Sequence, residues 1–177
     1  MDHTDHVALL ASGVRKDEGG AWADLGAGSG AFTLALADLI GPHGLIHAID
    51  RDRAALADLR ASAVSSIPTT EIRTRVADFT RPLDLAGLDG IVMANSLHFV
   101  EDKRPVLALV RGYLRPGGRL LLVEYDSDRG NPWVPYPLSF ESWERLADES
   151  GFVQTRKLAS VPSRYLRRIY SALSLAP

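Results

Sequence analysis

Apolar positions along the chain follow two alternating rhythms. Short continuous runs, the pattern of strands buried on both faces, alternate with stretches where apolar residues recur at helical spacing. In order, the pattern predicts an opening helix at His6–Val14, a strand at Trp22–Leu25 and a helix at Gly30–Ile40. A second strand, "LIHAID", ends at Asp50 and is followed by a helix at Arg53–Val64. A third strand, "EIRTRVAD", ends at Asp78, and a fourth is "LDGIVMAN" (Leu88–Asn95). A helix at Lys103–Leu114, a sharp turn at "RPGG" (Arg115–Gly118), the apolar strand "RLLLVEY" and a helix at Ser139–Ser150 complete the alternation. The remaining segment reads as two strands joined by a hairpin turn at "VPSR" (Val161–Arg164). Strands alternating with helices specify an α/β, Rossmann-like domain: a mostly parallel seven-stranded sheet, helices on both faces, and an antiparallel hairpin strand at the C-terminal end.

The turn after the first strand, "DLGAGSGA", raises the first chemical question. A glycine-rich turn between strand and helix lets backbone N–H groups and the helix N-terminus approach a ligand. Gly26, Gly28 and Ala31 satisfy the G-x-G-x-x-G/A spacing of dinucleotide sites, and Asp50 lies at the offset expected of an acid that grips a ribose. NAD therefore remains open on this pattern. Asp24 weighs against it, because a carboxylate beside this turn repels a pyrophosphate and suits a ligand with a cationic amino group.

"DLGAGSG" (Asp24–Gly30) resembles motif I of the class I S-adenosylmethionine-dependent methyltransferases, here of the small-molecule type. "HAIDRD", "RVADFT", "DGIVMANSLHFVED" and "LRPGGRLLLVEY" resemble the motifs of that family's second to fifth strands, in the required order. The resemblance implies that Gly26, Ala27, Gly28 and Gly30 meet the methionine end of S-adenosylmethionine, with Asp24 near its amino group. It implies that Asp50 takes the ribose hydroxyls, that Arg51 lies beside the adenine edge, and that Asp78 and Phe79 meet the adenine. Asn95 and Ser96 would border the methyl group, and S-adenosylhomocysteine would be the product. Asp52 is the better candidate for the cap of the helix that follows.

Methyl transfer is an in-line displacement that the protein drives mainly by positioning and desolvation, so a catalytic constellation need not be visible. His98 is the candidate catalytic residue, since it alone among the histidines falls near the carboxyl ends of the strands. A histidine at this place also resembles a family feature that packs beside the cofactor without acting as a base. Glu124 and Asp126 form a second candidate base pair. "NSLH" departs from the Asn/Asp-Pro-Pro-aromatic motif of enzymes that methylate bases or glutamine, and Asn95 stands where a magnesium-dependent catechol type would carry an acid.

Composition narrows the picture further. A 177-residue chain of net charge −2 reads as one domain, 1–177, with a short helical segment over 1–20 and no electrostatic call for nucleic acid. There are no cysteines, so thiolate metal sites and cysteine nucleophiles are excluded, and no close histidine pair suggests a metal. The opening residues lack the apolar core of a signal peptide, and no run is long enough to cross a bilayer, so a cytoplasmic protein without membrane contact is expected. The connection 126–140 holds three prolines and is the candidate lid, with Trp133, Tyr136 and Phe140 as the candidate acceptor pocket. Arg164, Arg167 and Arg168, with Arg156 and Lys157, form a basic patch read as a charged sheet edge. The sequence leaves the oligomeric state open, a homodimer included. It also leaves two rivals: a Rossmann-type NAD-dependent oxidoreductase, disfavoured by the missing Tyr-x-x-x-Lys pair and second domain, and a non-catalytic S-adenosylmethionine-binding protein.

Overall fold

The computed structural model describes residues 1–66, 70–163 and 165–177. The elements are α1 (His3–Ala11), β1 (Gly20–Leu25), α2 (Ala31–Ile40), β2 (Gly44–Asp50), α3 (Arg53–Ser66), β3 (Glu71–Val76) and β4 (Leu88–Ala94). A 3-10 turn (Leu97–Phe99), α4 (Arg104–Tyr113), β5 (Leu114–Tyr125), α5 (Phe140–Glu149), β6 (Val153–Pro162) and β7 (Arg168–Leu175) follow. The seven strands form one sheet in the order β3-β2-β1-β4-β5-β7-β6. All neighbours are parallel except β7, which runs antiparallel to both β5 and β6. Connections lead outward in opposite directions from β1 and β4, and at such a switch point a crevice opens beyond the carboxyl ends of the strands.

The uninterrupted apolar runs are explained by burial on two faces. Trp22 to Leu25 of β1 and Leu120 to Tyr125 of β5 are all buried, between α4 and α5 on one side and α1 and α2 on the other. The outer strands are wetter: β3 carries Glu71, Arg73 and Arg75, whose charges discourage further strands from pairing there. Gly90 on β4 lies opposite Trp22 on β1, and any side chain at Gly90 would collide with the indole ring.

Three local features differ from the pattern-based expectation. Helix α1 begins at His3 rather than His6, because Asp2 and Asp5 form a reciprocal capping box. The "RPGG" segment is not a turn before the strand but a bulged part of β5, since Leu114 already pairs with Leu88 and Arg119 with Gly90. The basic patch does not assemble as a free cluster: Arg168 donates from Nε to Ser160 Oγ (2.9 Å) and Lys157 pairs with Asp126 (3.0 Å). Arg164 lies outside the described residues. Among the described residues no helix is long and apolar enough to cross a membrane, and no acid–histidine group could hold a metal ion.

Candidate functional site: a two-chambered crevice at the switch point

The turn after β1 is fastened to the end of β2, with Gly26 N and Ala27 N both donating to the Ile49 carbonyl (2.8 and 3.0 Å). Gly26 has φ 86°, and a Cβ there would overlap the Ser96 side chain. Ser96 is itself a tie, donating from Oγ to the Leu25 carbonyl (2.7 Å) and so holding the ends of β4 and β1 together. Asn95, between these ties, sits at φ 51° with its side-chain Oδ1 buried and without a partner. A buried amide oxygen left unpaired is a position waiting for a donor.

Two cavities meet at Gly26 and Asn95. The larger, about 330 Å3, is walled by Asp50, Arg51, Ala77, Asp78, Phe79, Thr80, Ser96, Phe99 and Val100 as well as by those two. The smaller, about 260 Å3, adds His6, Asp24, Ala27, Gly28, Ser29, Ala31, Phe32 and Ala94. The structure therefore gathers Asp24, Gly26, Ala27, Gly28, Asp50, Arg51, Asp78, Phe79, Asn95 and Ser96 around one crevice. Gly30 stands behind it, at φ 93°, where a Cβ would strike Leu59 of α3; its place is in helix packing.

Asp50 is rigidly aimed. Its Oδ2 accepts from Gly28 N (2.8 Å) and its Oδ1 from Asp52 N (2.8 Å), leaving the second lone pair of each oxygen for a ligand. Asp52 takes the capping task, accepting from Ala54 N and Ala55 N of α3. Asp78 serves two ends: Oδ1 accepts from the hydroxyl and the backbone N of Thr80, while Oδ2 carries no hydrogen bond among the described residues. Those Thr80 bonds hold the Asp78 carboxyl below the usual range, aided by Arg81 and Arg51, so it is an acceptor at neutral pH.

Asp24 has the opposite electrostatics. It is 1 % exposed, and burial pushes its pKa up to about 7, against the hydrogen bond it accepts from Thr33 Oγ1 (2.6 Å) and with the Asp50 charge adding to the rise. No cation touches it among the described residues. A buried carboxylate lining a chamber and lacking a counter-ion is suited to a ligand that brings a positive charge.

His98 is buried just outside the crevice wall, behind Phe99, whose ring centroid lies 4.3 Å from the imidazole. Its Nδ1 is hydrogen-bonded to both oxygens of Glu124 (3.0 and 3.1 Å), and its backbone N donates to Glu124 Oε1 (3.0 Å). Glu124 is thus paired with His98 rather than with Asp126, which lies beyond β5 and instead accepts from Phe140 N and Lys157. The three candidate acceptor residues do not line the crevice. Trp133 is 72 % exposed, Phe140 packs edge-on against Tyr170 and under Lys157, and Tyr136 is fixed through its backbone. Tyr136 N donates to the His98 carbonyl, and Lys103 Nζ reaches the carbonyls of both Val100 and Tyr136 (2.7 and 2.9 Å). The connection 126–140 is further pinned by Asp128, which accepts from Ser139 N and Oγ, and by a tight turn at Asn131–Val134.

Residue patterning did not reveal His6, Phe32, Thr33, Thr80 or Phe99. The helical register of α2 places Thr33 over the end of β1, so its contact with Asp24 was recoverable in principle. His6, stacked on Phe32 at 4.7 Å, arrives from α1 with no local signal.

A parallel sheet of this order with an inserted antiparallel strand, and a crevice lined by acids at the ends of β1, β2 and β3, define a Rossmann-like methyltransferase fold. The family model described as "Methyltransferase domain" matches residues 23–120, and the chain belongs to that family, whose cofactor is S-adenosylmethionine. A 37.1 kDa protein of transposon TN4556 from Streptomyces fradiae is 33 % identical over 106 residues, which cover 59 % of this chain and 30 % of that protein. The chain therefore spans under a third of the curated relative it matches. The S-adenosylmethionine-dependent methyltransferase SibL in its apo form shares the fold at a TM-score of 0.73 and 21 % identity, over 98 % of this chain and 55 % of that one. An S-adenosylmethionine-dependent methyltransferase from Aquifex aeolicus matches at 0.72 and 15 % identity, covering 100 % of both chains.

Proposed function

We propose that this domain transfers a methyl group from S-adenosylmethionine to a small-molecule acceptor in the cytoplasm. Buried Asp24 is the observation that carries the reading: it calls for a cation in the smaller chamber, where a dinucleotide would put phosphate. The ammonium group would sit by Asp24 and the carboxylate by the first turn of α2, which has no side-chain cap. Asp50 would hold the ribose, and Asp78 with Phe79 and Arg51 the adenine. The unpaired Asn95 Oδ1 offers an acceptor where the two chambers meet, and Gly28 leaves open space toward the ligand.

The bound cofactor supplies an activated methyl group on a sulfonium centre. The chain's own part is positioning: the Gly26 and Ser96 ties fix the crevice width, with the Phe79 and Phe99 rings on its wall. Calorimetric titration with S-adenosylmethionine, S-adenosylhomocysteine and NAD tests the proposal. Binding of both adenosyl ligands and not NAD is expected. NAD binding without the adenosyl ligands would refute it.

A further inference from the structure

Arg156 and Lys157 are neighbours in the sequence but fall on opposite faces of the sheet. Lys157 reaches Asp126, whereas Arg156, level with Leu173 on β7, lines a further cavity of about 360 Å3. This cavity lies toward the amino ends of β1, β5 and β6, and none of its lining residues belongs to either chamber of the crevice. Four arginines wall it, Arg15, Arg115, Arg119 and Arg156; Glu18 is its one acid and Leu173 gives it an apolar side. On a chain of net charge −2, such a gathering of cations is a local feature.

Two of the four are already engaged. The Arg119 side chain is only 15 % exposed: Nη2 pairs with Glu18 (2.7 Å), Nη1 donates to the Gly13 carbonyl (3.3 Å), and the guanidinium stacks over buried Trp22 at 5.0 Å. Arg115 donates from Nε to Asp89 (2.7 Å) and from Nη1 to the Pro116 carbonyl (3.2 Å). The wall beside them is close-packed, since a Cβ on Gly13 would overlap Leu121 and Leu158. Arg15 and Arg156 differ. Neither guanidinium makes an ion pair or hydrogen bond among the described residues. The nearby carboxylates, Glu18 and Asp89, are committed to Arg119 and Arg115, so two positive charges border the cavity without a counter-ion. A guanidinium cannot relieve that repulsion by releasing its proton.

We infer that this cavity is a second ligand site, and that its ligand is a small multivalent oxyanion, an organic phosphate or a polycarboxylate. The planar forks of Arg15 and Arg156 match either group bidentately, and both are free to do so. The volume is that of a small-molecule pocket. The cations converge on one cavity instead of running along a face, which suits a compact anion and not the backbone of a nucleic acid. Bound there, the anion bridges the link after α1, the start of β5 and the edge strand β6, and so clamps segments far apart in the chain. The site stands apart from the crevice and does not depend on what the crevice binds.

The test titrates the full chain by calorimetry with pyrophosphate and with citrate, sodium chloride holding the ionic strength constant. Saturable binding of at least one is expected, and the arm that binds tells phosphate from carboxylate. Tm should rise by about 5–10 °C at about a hundredfold excess over Kd. Arg15→Gln and Arg156→Gln remove side chains that hold nothing in the fold, so each should keep the Tm of the free protein and weaken anion binding about tenfold. Arg156→Lys should restore only part of the loss, because an ammonium lacks the fork. Arg60→Gln, on α3 toward the other edge of the sheet, should leave the affinity unchanged. S-adenosylhomocysteine should not displace the anion. Four results would each overturn the inference: no binding of either anion at matched ionic strength, an affinity indifferent to both glutamine variants, displacement by S-adenosylhomocysteine, or tighter binding of a DNA duplex than of either anion. The last would make these arginines a nucleic-acid surface.

Discussion

Asp24→Asn separates the cost of the buried carboxylate from its use. The Asp24 carboxyl has its pKa raised from 3.8 to about 7 in the folded chain, chiefly by burial. Between those values the folded protein holds a proton that the unfolded chain has released, so stability falls as pH rises through that window and levels off above it. Ionised in both states, a group displaced this far costs about 4 kcal/mol of folding free energy. Asparagine removes that cost, keeps an acceptor for Thr33 Oγ1, and introduces a buried NH2 whose missing partner costs about 1–3 kcal/mol. The pH dependence is the cleaner quantity, because the amide penalty cancels. From about pH 4.5 to about pH 8 the variant should gain about 3 kcal/mol on the wild type by proton linkage. For a chain of this size that raises the variant's Tm relative to the wild type's by roughly 6–12 °C between the two pH values. Thermal unfolding of both proteins, without ligand, at the two pH values measures it. A Tm gap that does not change with pH would refute the assignment of a high pKa to Asp24. The same variant should bind S-adenosylmethionine more weakly than the wild type at pH 8, since it lacks the charge proposed to face the ammonium.

Three further outcomes follow from the geometry. Asp50→Ala should lose at least about tenfold in affinity for S-adenosylhomocysteine by calorimetry, because the ribose hydroxyls and Gly28 N would lose their acceptor together. Gly26→Ala forces a Cβ into Ser96 at positive φ, so both Tm and cofactor affinity should fall; a variant with wild-type values of both would mean that the turn is free to move. Tyr170→Phe removes a buried hydroxyl that has no partner, so Tm should hold or rise by about 2–4 °C, and a clear drop would reveal a partner for that hydroxyl.

The sheet was legible because its strands are buried on both faces and therefore appear as unbroken apolar runs, as in "RLLLVEY". Helix α1 was misplaced by three residues, since two acids that look like ordinary surface residues carry its cap. The bulge at Arg115–Gly118 was read as a turn because a Pro-Gly-Gly sequence looks alike in either setting, and only pairing with Leu88 and Gly90 decides. In the crevice, Asp24 and Asp50 stood out through their distance from the glycines along one strand–turn–helix unit. Phe99, His6 and the His98–Glu124 bond depend on which distant elements meet, and nothing in local spacing encodes that. The aromatic residues of the 126–140 connection were read from composition, which cannot tell a ring packed on Tyr170 from one left in solvent.

Insertion of β7 between β5 and β6 also has a consequence for how the chain comes off the ribosome. The most apolar strand, β5, is synthesised before α5, β6 and β7, yet its outer edge stays open until β7 slides in beside it. Until then the nascent chain presents a long, flat hydrophobic edge, the kind of surface that pairs with a stranger. Protection of that edge waits on β7, the last of the sheet's seven strands in chain order. Slow synthesis or damage within Arg168–Leu175 would therefore show as aggregation in the cell before it showed as any change in the crevice.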